Sequence, residues 1–432
     1  MASPLKVMVV DDTITYRMIM KKVAESISGV QVMATVSNGK LALDKITSQF
    51  NTKDPDRPDV VLLDVEMPVM DGLASLKEIN RRFPQVTVVM VSGLSRSNAN
   101  IVMECLNAGA LDFITKPMES NVDRAKDALR KDLEPILSLL IKEREEAGGE
   151  KGAANGGRTE EEGAAVGGKS GPDRGGVEPA ARPRMVEGFA GRLPPTVRGP
   201  AARPGGSVSR AVSSGVVAQP RAGDRVGGHG AGRGVSGDVP ELILVGSSTG
   251  GPAALTRLLG RVGGKLPVPM LIVQHMPPIF TASLAAQLSR TSGLDVREAQ
   301  DAQWVEPGDI LIAQGGRHMT LTLENRKPRI VFNDGPKVNE CRPAVDVLFM
   351  SVMACFSGRI LAIVLTGMGR DGANGVDALK RTGRTFCITQ DQKSCVVYGM
   401  PRSVDEKGLS DLSLPLDEIG PKVAELCGGV RG

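Results

Sequence analysis

The chain has 432 residues, more than one ordinary core holds, and 41% are hydrophobic, which is apolar material for two or three globular domains. Aromatic residues make up 3%, with one Trp (Trp304) and two Tyr (Tyr16, Tyr398), so a base-stacking surface for single-stranded nucleic acid is not expected. The formal net charge is +4, but Gly188 to Gly237 alone holds seven Arg against one acid, Asp224, so the basic balance describes one segment rather than a binding face.

From residue 1 to 140, short apolar runs alternate with amphipathic stretches. The runs are Lys6–Val10, Val30–Thr35, Val60–Leu63, Thr87–Val91 and Asp112–Thr115. Runs of four or five Val, Leu and Met residues predict strands buried on both faces, hence a parallel sheet. Five such units with intervening helices predict a doubly wound, flavodoxin-like α/β fold. From 141 to 238 the pattern collapses into Gly, Ala, Pro, Arg and Ser, which cannot bury enough apolar surface to offset chain entropy. This segment is expected to be a disordered linker. From 239 to 432 the alternation resumes, with strands expected at Glu241–Val245, Met270–Val273, Ile310–Ala313, Ile330–Phe332, Ile360–Leu365 and Thr385–Ile388. Helices are expected over Pro252–Val262, Thr281–Ser289 and Ala344–Phe356, giving a second, doubly wound α/β domain.

The N-terminus runs straight into a strand pattern with no signal-like apolar core, and no apolar run approaches the ~20 residues of a membrane span. The six Cys form no CxxC pair and sit in apolar surroundings. Buried, reduced thiols and a soluble cytoplasmic protein are the expectation.

In the first domain, chemistry-bearing residues fall at strand C-terminal ends, where open α/β sheets place their sites. Asp11 and Asp12 end the first strand, Asp64 the third, Ser92 the fourth, and Lys116 the fifth. Three clustered carboxylates repel one another and invite a divalent cation and a counter-lysine, and all-oxygen ligands suit Mg²⁺. Asp64 then becomes a nucleophile toward a phosphoryl group, with Lys116 stabilising the phosphoryl oxygens. Ser92 is placed to hydrogen-bond the new phosphate and report it as a loop shift. A DD pair or a KP dipeptide is by itself only a turn or a loop; the joint arrangement carries the reading.

Together VMVVDD, LLDVEMPVMDG, VMVSG and FITKP resemble a response-regulator receiver domain across residues 5 to 125. The resemblance implies that a partner histidine kinase phosphorylates Asp64. It further implies that Asp11, Asp12, Asp64 and the carbonyl of Glu66 bind the metal, and that Ser92 and Lys116 form the switch. The aromatic switch position falls on Phe113, which lacks the hydroxyl of a tyrosine.

In the second domain, ELILVGSSTGGPAAL places Gly246-x-Ser248-x-Gly250 between a strand and a helix, the context of a nucleophile turn. The Thr249 amide then lies near a helix N-terminus, where it can bind an oxyanion. A Gly-rich phosphate turn is the rival, but the full GxGxxG pattern and a following Lys are missing. The chain has three His. His229 lies in the linker, His318 is expected in a turn, and His275 ends a strand in MLIVQHMPP. Asp371, in a Gly-rich loop after Ile360–Leu365, supplies an orienting carboxylate. Taken alone, each is an ordinary strand-end His or helix-capping Asp. Together Ser248, His275 and Asp371 read as nucleophile, base and orienter.

LVGSSTGGPAAL, IVQHMPPIFTASLAAQL, IAQGGRHM, NECRPAVDVLF, VLTGMGRDGANG and SCVVYGMPRSV resemble, in order, the catalytic domain of the chemotaxis protein-glutamate methylesterase family, from Glu241 to Cys427. The resemblance implies hydrolysis of γ-glutamyl methyl esters on chemoreceptors with release of methanol, and deamidation of certain receptor glutamines. It also implies a second oxyanion donor near Met368 and no cofactor at the esterase site. Arg342 and Met400 lie in these blocks without an assigned role. The partners implied are a methyl-accepting receptor and a histidine kinase, with no nucleic acid and no membrane insertion. The unphosphorylated receiver is expected to dock over the strand-end face and block a bulky substrate. Three alternatives stand beside this reading. They are a DNA-binding output in the basic segment (which lacks helical periodicity), a non-catalytic adaptor, and the same esterase chemistry on a receptor of a non-motility array.

Overall fold

The computed structural model describes residues 3–153, except 53, 55, 119 and 120, and residues 239–428. Most of the expected linker, residues 154–238, lies outside the described residues.

The N-terminal domain alternates strand and helix: β1 (Leu5–Val10), α1 (Ile14–Glu25), β2 (Val30–Val36), α2 (Gly39–Asn51), β3 (Val60–Asp64), α3 (Gly72–Arg82), β4 (Thr87–Ser92), α4 (Arg96–Asn107), β5 (Asp112–Thr115) and α5 (Val122–Ala153). Its five strands form one parallel sheet in the order β2-β1-β3-β4-β5. Every residue of β3 is buried, the reason its sequence is a continuous apolar run closed by an acid. Asn38, Asp71 and Ser95 cap α2, α3 and α4 by accepting amide hydrogen bonds from Leu41, Ala74 and Asn98. Helix α5 continues to Ala153, past the domain boundary expected at residue 140.

The C-terminal domain contains β6 (Leu242–Ser247), α6 (Gly251–Gly260), β7 (Met270–Gln274), α7 (Phe280–Ser292), β8 (Val296–Glu298), β9 (Ile310–Ile312), β10 (His318–Glu324), β11 (Lys327–Asn333), α8 (Val345–Cys355), β12 (Ile360–Val364), α9 (Ala373–Lys380), β13 (Thr385–Gln390), α10 (Met400–Asp405), β14 (Leu412–Leu414) and α11 (Leu416–Leu426). Seven strands form a parallel sheet ordered β14-β13-β12-β6-β7-β9-β8. From β6 the chain first moves to β7 and later returns to β12 on the other side. The crevice at the carboxyl ends of β12, β6 and β7 is therefore the topological switch point, the usual place for a site in an open α/β sheet.

Two expectations change here. Ile330–Phe332 is the centre of β11, which pairs with β10 in a separate antiparallel hairpin and not in the main sheet. His318, expected in a turn, is the first residue of β10 and is buried. The two-residue loop of this hairpin is Asn325-Arg326, both at positive φ (52° and 64°), the mirror-image turn that suits strand twist but carries no glycine signal here. The His318 ring is satisfied structurally: Nε2 lies 2.9 Å from the Pro336 carbonyl, and Nδ1 accepts from the Ala344 amide at 3.2 Å.

The two domains share apolar material. One buried cluster includes Val102, Met103 and Leu106 of α4 together with Leu255 of α6 and Phe280 and Leu284 of α7. Helix α4 packs on α6 and α7, so a face of the receiver lies on the helices that follow β6 and β7. Among the described residues, no helix is long and apolar enough to cross a membrane.

Candidate functional sites at two strand edges

In the C-terminal domain, β6 pairs with β7 in register up to Ser247 opposite Gln274, which puts the next residues, Ser248 and His275, side by side at the sheet edge. The chain reverses at once: the Gly251 amide donates to the Ser248 carbonyl at 2.7 Å, closing a turn whose third residue, Gly250, has φ 76° and ψ −6°. That is a type II turn, and its third position favours glycine because a Cβ there is strained. A Cβ on Gly367 would lie 2.7 Å from Ser248 Cβ and 2.4 Å from Met400 Sδ, so glycine lets the β12 loop close behind Ser248. Met400, which had no assigned role, is a fully buried packing residue at this point.

His275 Nε2 lies 2.7 Å from Asp371 Oδ2. Asp371 sits at the N-terminus of α8 and is saturated with donors. Besides His275 it accepts from the amides of Val345 (2.6 Å), Asp346 (3.1 Å) and Gly372 (3.1 Å), and from Asn339 Nδ2 at 2.8 Å. Burial alone would raise its pKa; the His275 hydrogen bond and charge, with the Val345 and Asp346 amides, outweigh burial and hold it below the usual carboxylate range. Burial would likewise depress the His275 pKa, but the hydrogen bonds of Asp371 and Cys341 push it up to about 9. Because Nε2 faces Asp371, Nδ1 is the nitrogen left for proton transfer.

Among the described residues, Ser248 Oγ makes no hydrogen bond to His275, although the two residues are strand neighbours. Nδ1 instead contacts Cys341 Sγ at 3.4 Å. The expectation that all six cysteines are buried in apolar surroundings is corrected here. Cys341 and Cys355 are half-buried, and Cys341 reaches the imidazole because a tight turn, Val338–Cys341, aims it there. The amides of Thr249 and Met368 donate no hydrogen bond among the described residues.

Sequence reasoning missed three residues of this site. Asn339 (φ 51°) bridges Asp371 Oδ1 and Asp346 Oδ2, at 2.8 and 2.9 Å. Asp346 is buried and also accepts from the amides of Gly372 and Gly375. Burial raises its pKa, against the lowering effect of the Gly375 amide and with a further push from Asp371. Cys341 completes the set. All three lie in or beside NECRPAVDVLF, a block whose composition shows no catalytic signature.

In the N-terminal domain, carboxylate oxygens of Asp11, Asp12 and Asp64 lie within 4.8 Å of one another. Lys116 Nζ stands 2.7 Å from both Asp11 Oδ2 and Asp64 Oδ2. Burial raises the Asp64 pKa to about 6; Lys116 opposes this and Asp11 adds to it. One lysine therefore does not balance the three acids. With Asp12 exposed to solvent, this hard-oxygen set fits a small divalent cation. Glu66, whose carbonyl is the fourth expected ligand, follows on the β3–α3 loop, and its side chain accepts from Asn98 Nδ2 at 3.2 Å. Ser92 Oγ donates to the Gly93 carbonyl at 3.1 Å and does not point a hydrogen bond at the acidic cluster.

The two sites are linked by β5. Phe113 stacks on Phe280, the first residue of α7, with ring centroids 4.5 Å apart. Thr249 Oγ1, next to Ser248, donates to Asp112 Oδ2 at 2.6 Å. Burial raises the Asp112 pKa, and the bonds from Thr249 and the Phe113 amide offset only part of this. A surface pair, Lys131 with Glu340 at 3.4 Å, is mostly exposed (61% and 82%) and adds little.

Comparison with known proteins gives a consistent set of likenesses. The family model described as CheB methylesterase matches residues 243–423, and the response regulator receiver domain matches 7–127. A protein-glutamate methylesterase/protein-glutamine glutaminase of Desulfotalea psychrophila is 35% identical over 97% of this chain and 97% of its own length. One of Azospirillum brasilense is 35% identical over 97% of this chain and 92% of its own. Among solved structures, the Thermotoga maritima CheB methylesterase catalytic domain is 41% identical, with 43% of this chain and 98% of that chain covered and a TM-score of 0.42.

Proposed function

The chain belongs to the protein-glutamate methylesterase/protein-glutamine glutaminase family, an enzyme family that joins a receiver to a hydrolase. From that membership we propose a phosphorylation-regulated serine esterase that hydrolyses glutamate γ-methyl esters on chemoreceptors, and deamidates specific receptor glutamines, in chemotactic adaptation. The observation that carries the reading is a buried His275–Asp371 pair next to the sharp turn that holds Ser248.

On this reading each residue has one task. Ser248 Oγ attacks the γ-carbonyl of the methyl ester while His275 Nδ1 takes its proton. The Thr249 and Met368 amides hold the oxyanion. Asp371, ionised and donor-saturated, fixes the ring and stabilises the imidazolium. The imidazolium then protonates the methoxide, methanol leaves, and Ser248 carries the glutamyl acyl group. Water activated by His275 releases glutamate. With a glutamine substrate the same path expels ammonia.

Regulation is assigned to the receiver. Mg²⁺ held by Asp11, Asp12, Asp64 and the Glu66 carbonyl would neutralise charge while a histidine kinase phosphorylates Asp64. Lys116 would then exchange Asp64 for the phosphoryl oxygens, and Ser92 would turn from Gly93 toward the phosphate. A shift of Phe113 off Phe280 and of Asp112 off Thr249 would loosen the receiver from the nucleophile turn.

The test is methanol release from methylated receptor, with and without a small phosphodonor plus Mg²⁺. Release that the phosphodonor stimulates, absent in Ser248→Ala and unstimulated in Asp64→Asn, is the expected result. Equal release by Ser248→Ala would refute the mechanism.

A further inference from the structure

Cys341 occupies a position that the reaction itself does not require. The turn that carries it is closed in both directions: the Val338 amide donates to the Cys341 carbonyl at 3.1 Å, and the Cys341 amide donates to the Val338 carbonyl at 2.9 Å. Asn339 and Glu340, at φ 51° and 63°, form its two-residue bend. Asn339 pins that bend to Asp371 and Asp346. The sulfur is thus held 3.4 Å from His275 Nδ1 by a fixed backbone rather than by a wandering side chain.

Nδ1 is the nitrogen that must accept the Ser248 proton, since Nε2 is committed to Asp371. With the receiver in place, that nitrogen contacts a thiol and is not bonded to the nucleophile. We propose that Cys341 is a positioning residue which engages His275 Nδ1 in the resting enzyme, so that Ser248 must displace a thiol before it can be deprotonated. This deepens the esterase reading and rests on it. A thiol suits the task because it bonds weakly and yields to a hydroxyl. The raised His275 pKa agrees with the arrangement: an imidazole still protonated at neutral pH is a poor base. Asp371 and Cys341 are the titratable groups bonded to the ring, and Asp346 on α8 reaches it only through Asn339 and Asp371.

The test is the rate of Ser248 labelling by a small fluorophosphonate on the full, unphosphorylated chain, followed from pH 6 to pH 10. Cys341→Ala is expected to label about fivefold faster at neutral pH, the factor for losing one hydrogen bond of about 1 kcal/mol. Its acid limb is expected at lower pH, because one of the two bonds raising the His275 pKa is gone. Cys341→Ser, whose shorter Cβ–O bond draws the heteroatom back from Nδ1, is expected between Cys341→Ala and the parent. It carries the test if Cys341→Ala does not fold. Labelling of folded Cys341→Ala or Cys341→Ser at or below the parent rate, with an unmoved acid limb, would overturn the proposal. Labelling equal in Ser248→Ala and the parent would overturn the esterase reading as well.

Discussion

The two domains place carboxylates at the same kind of location, the C-terminal edge of a parallel sheet, and give them opposite characters. Asp371 accepts five hydrogen bonds, among them amides at the N-terminus of α8, and stays ionised despite burial. Asp64 faces Asp11 and shares one lysine with it, and its pKa rises to about 6. Burial opposes ionisation in both places, so the number of donors decides the outcome. Asp371 is held below the usual carboxylate range. The receiver acid is left under-compensated, the condition in which it gains from a cation.

The comparison can be broken by experiment, starting with the largest effect. Ser248→Ala or His275→Gln is expected to lower methanol release by roughly 10⁴-fold or more, and Asp371→Asn by about 10³- to 10⁴-fold, measured as initial rates. A tenfold loss or less in Asp371→Asn would mean that ionised Asp371 is not needed. Next, the activity of the unphosphorylated chain toward a small ester should rise with pH as His275 loses its proton near pH 9. The sign for stability is the reverse. A histidine raised from about 6.5 to about 9 stabilises the fold below the lower value and ceases to do so as pH climbs through the higher one.

Smaller effects sharpen the contrast. Asn339→Ala is expected to lower kcat about tenfold with KM little changed, since it loosens Asp371 and Asp346 and touches no substrate group. Loss confined to KM would place Asn339 in substrate binding instead. Asp64→Asn is expected to stabilise the receiver by about 1–2 kcal/mol at pH 7, read as a shift in Tm, because it removes a charge that burial disfavours. The same cost is absent below the ordinary carboxylate pKa of 3.8, grows as pH rises from there to about 6 and is complete above it, so the stabilisation should fade in acid. A destabilised Asp64→Asn would show that its bond to Lys116 outweighs burial.

Much of this was legible in sequence. Ten strands of the two parallel sheets coincide with apolar runs or strand-end motifs, because a strand buried on both faces must be apolar throughout. The residues read as nucleophile, base and orienter do fall at adjacent strand ends, as the switch-point rule requires. The β10–β11 hairpin was not legible, since Asn325-Arg326 lacks the glycine that marks such turns. Neither were Asn339, Cys341 and Asp346, whose roles come from contacts across 7 to 66 residues of chain. Nor was the engagement of β5, where Asp112 looked like the ordinary first residue of a strand.

By itself, then, the order of residues determined the two α/β domains, the acidic cluster and the strand-end placement of Ser248, His275 and Asp371, because periodicity and strand-end placement are local properties of the chain. Only the folded molecule decided which imidazole nitrogen is left for the nucleophile, which acid stays charged, and which receiver residues touch the esterase. Those depend on hydrogen-bond directions and burial between distant segments, and no local pattern encodes either.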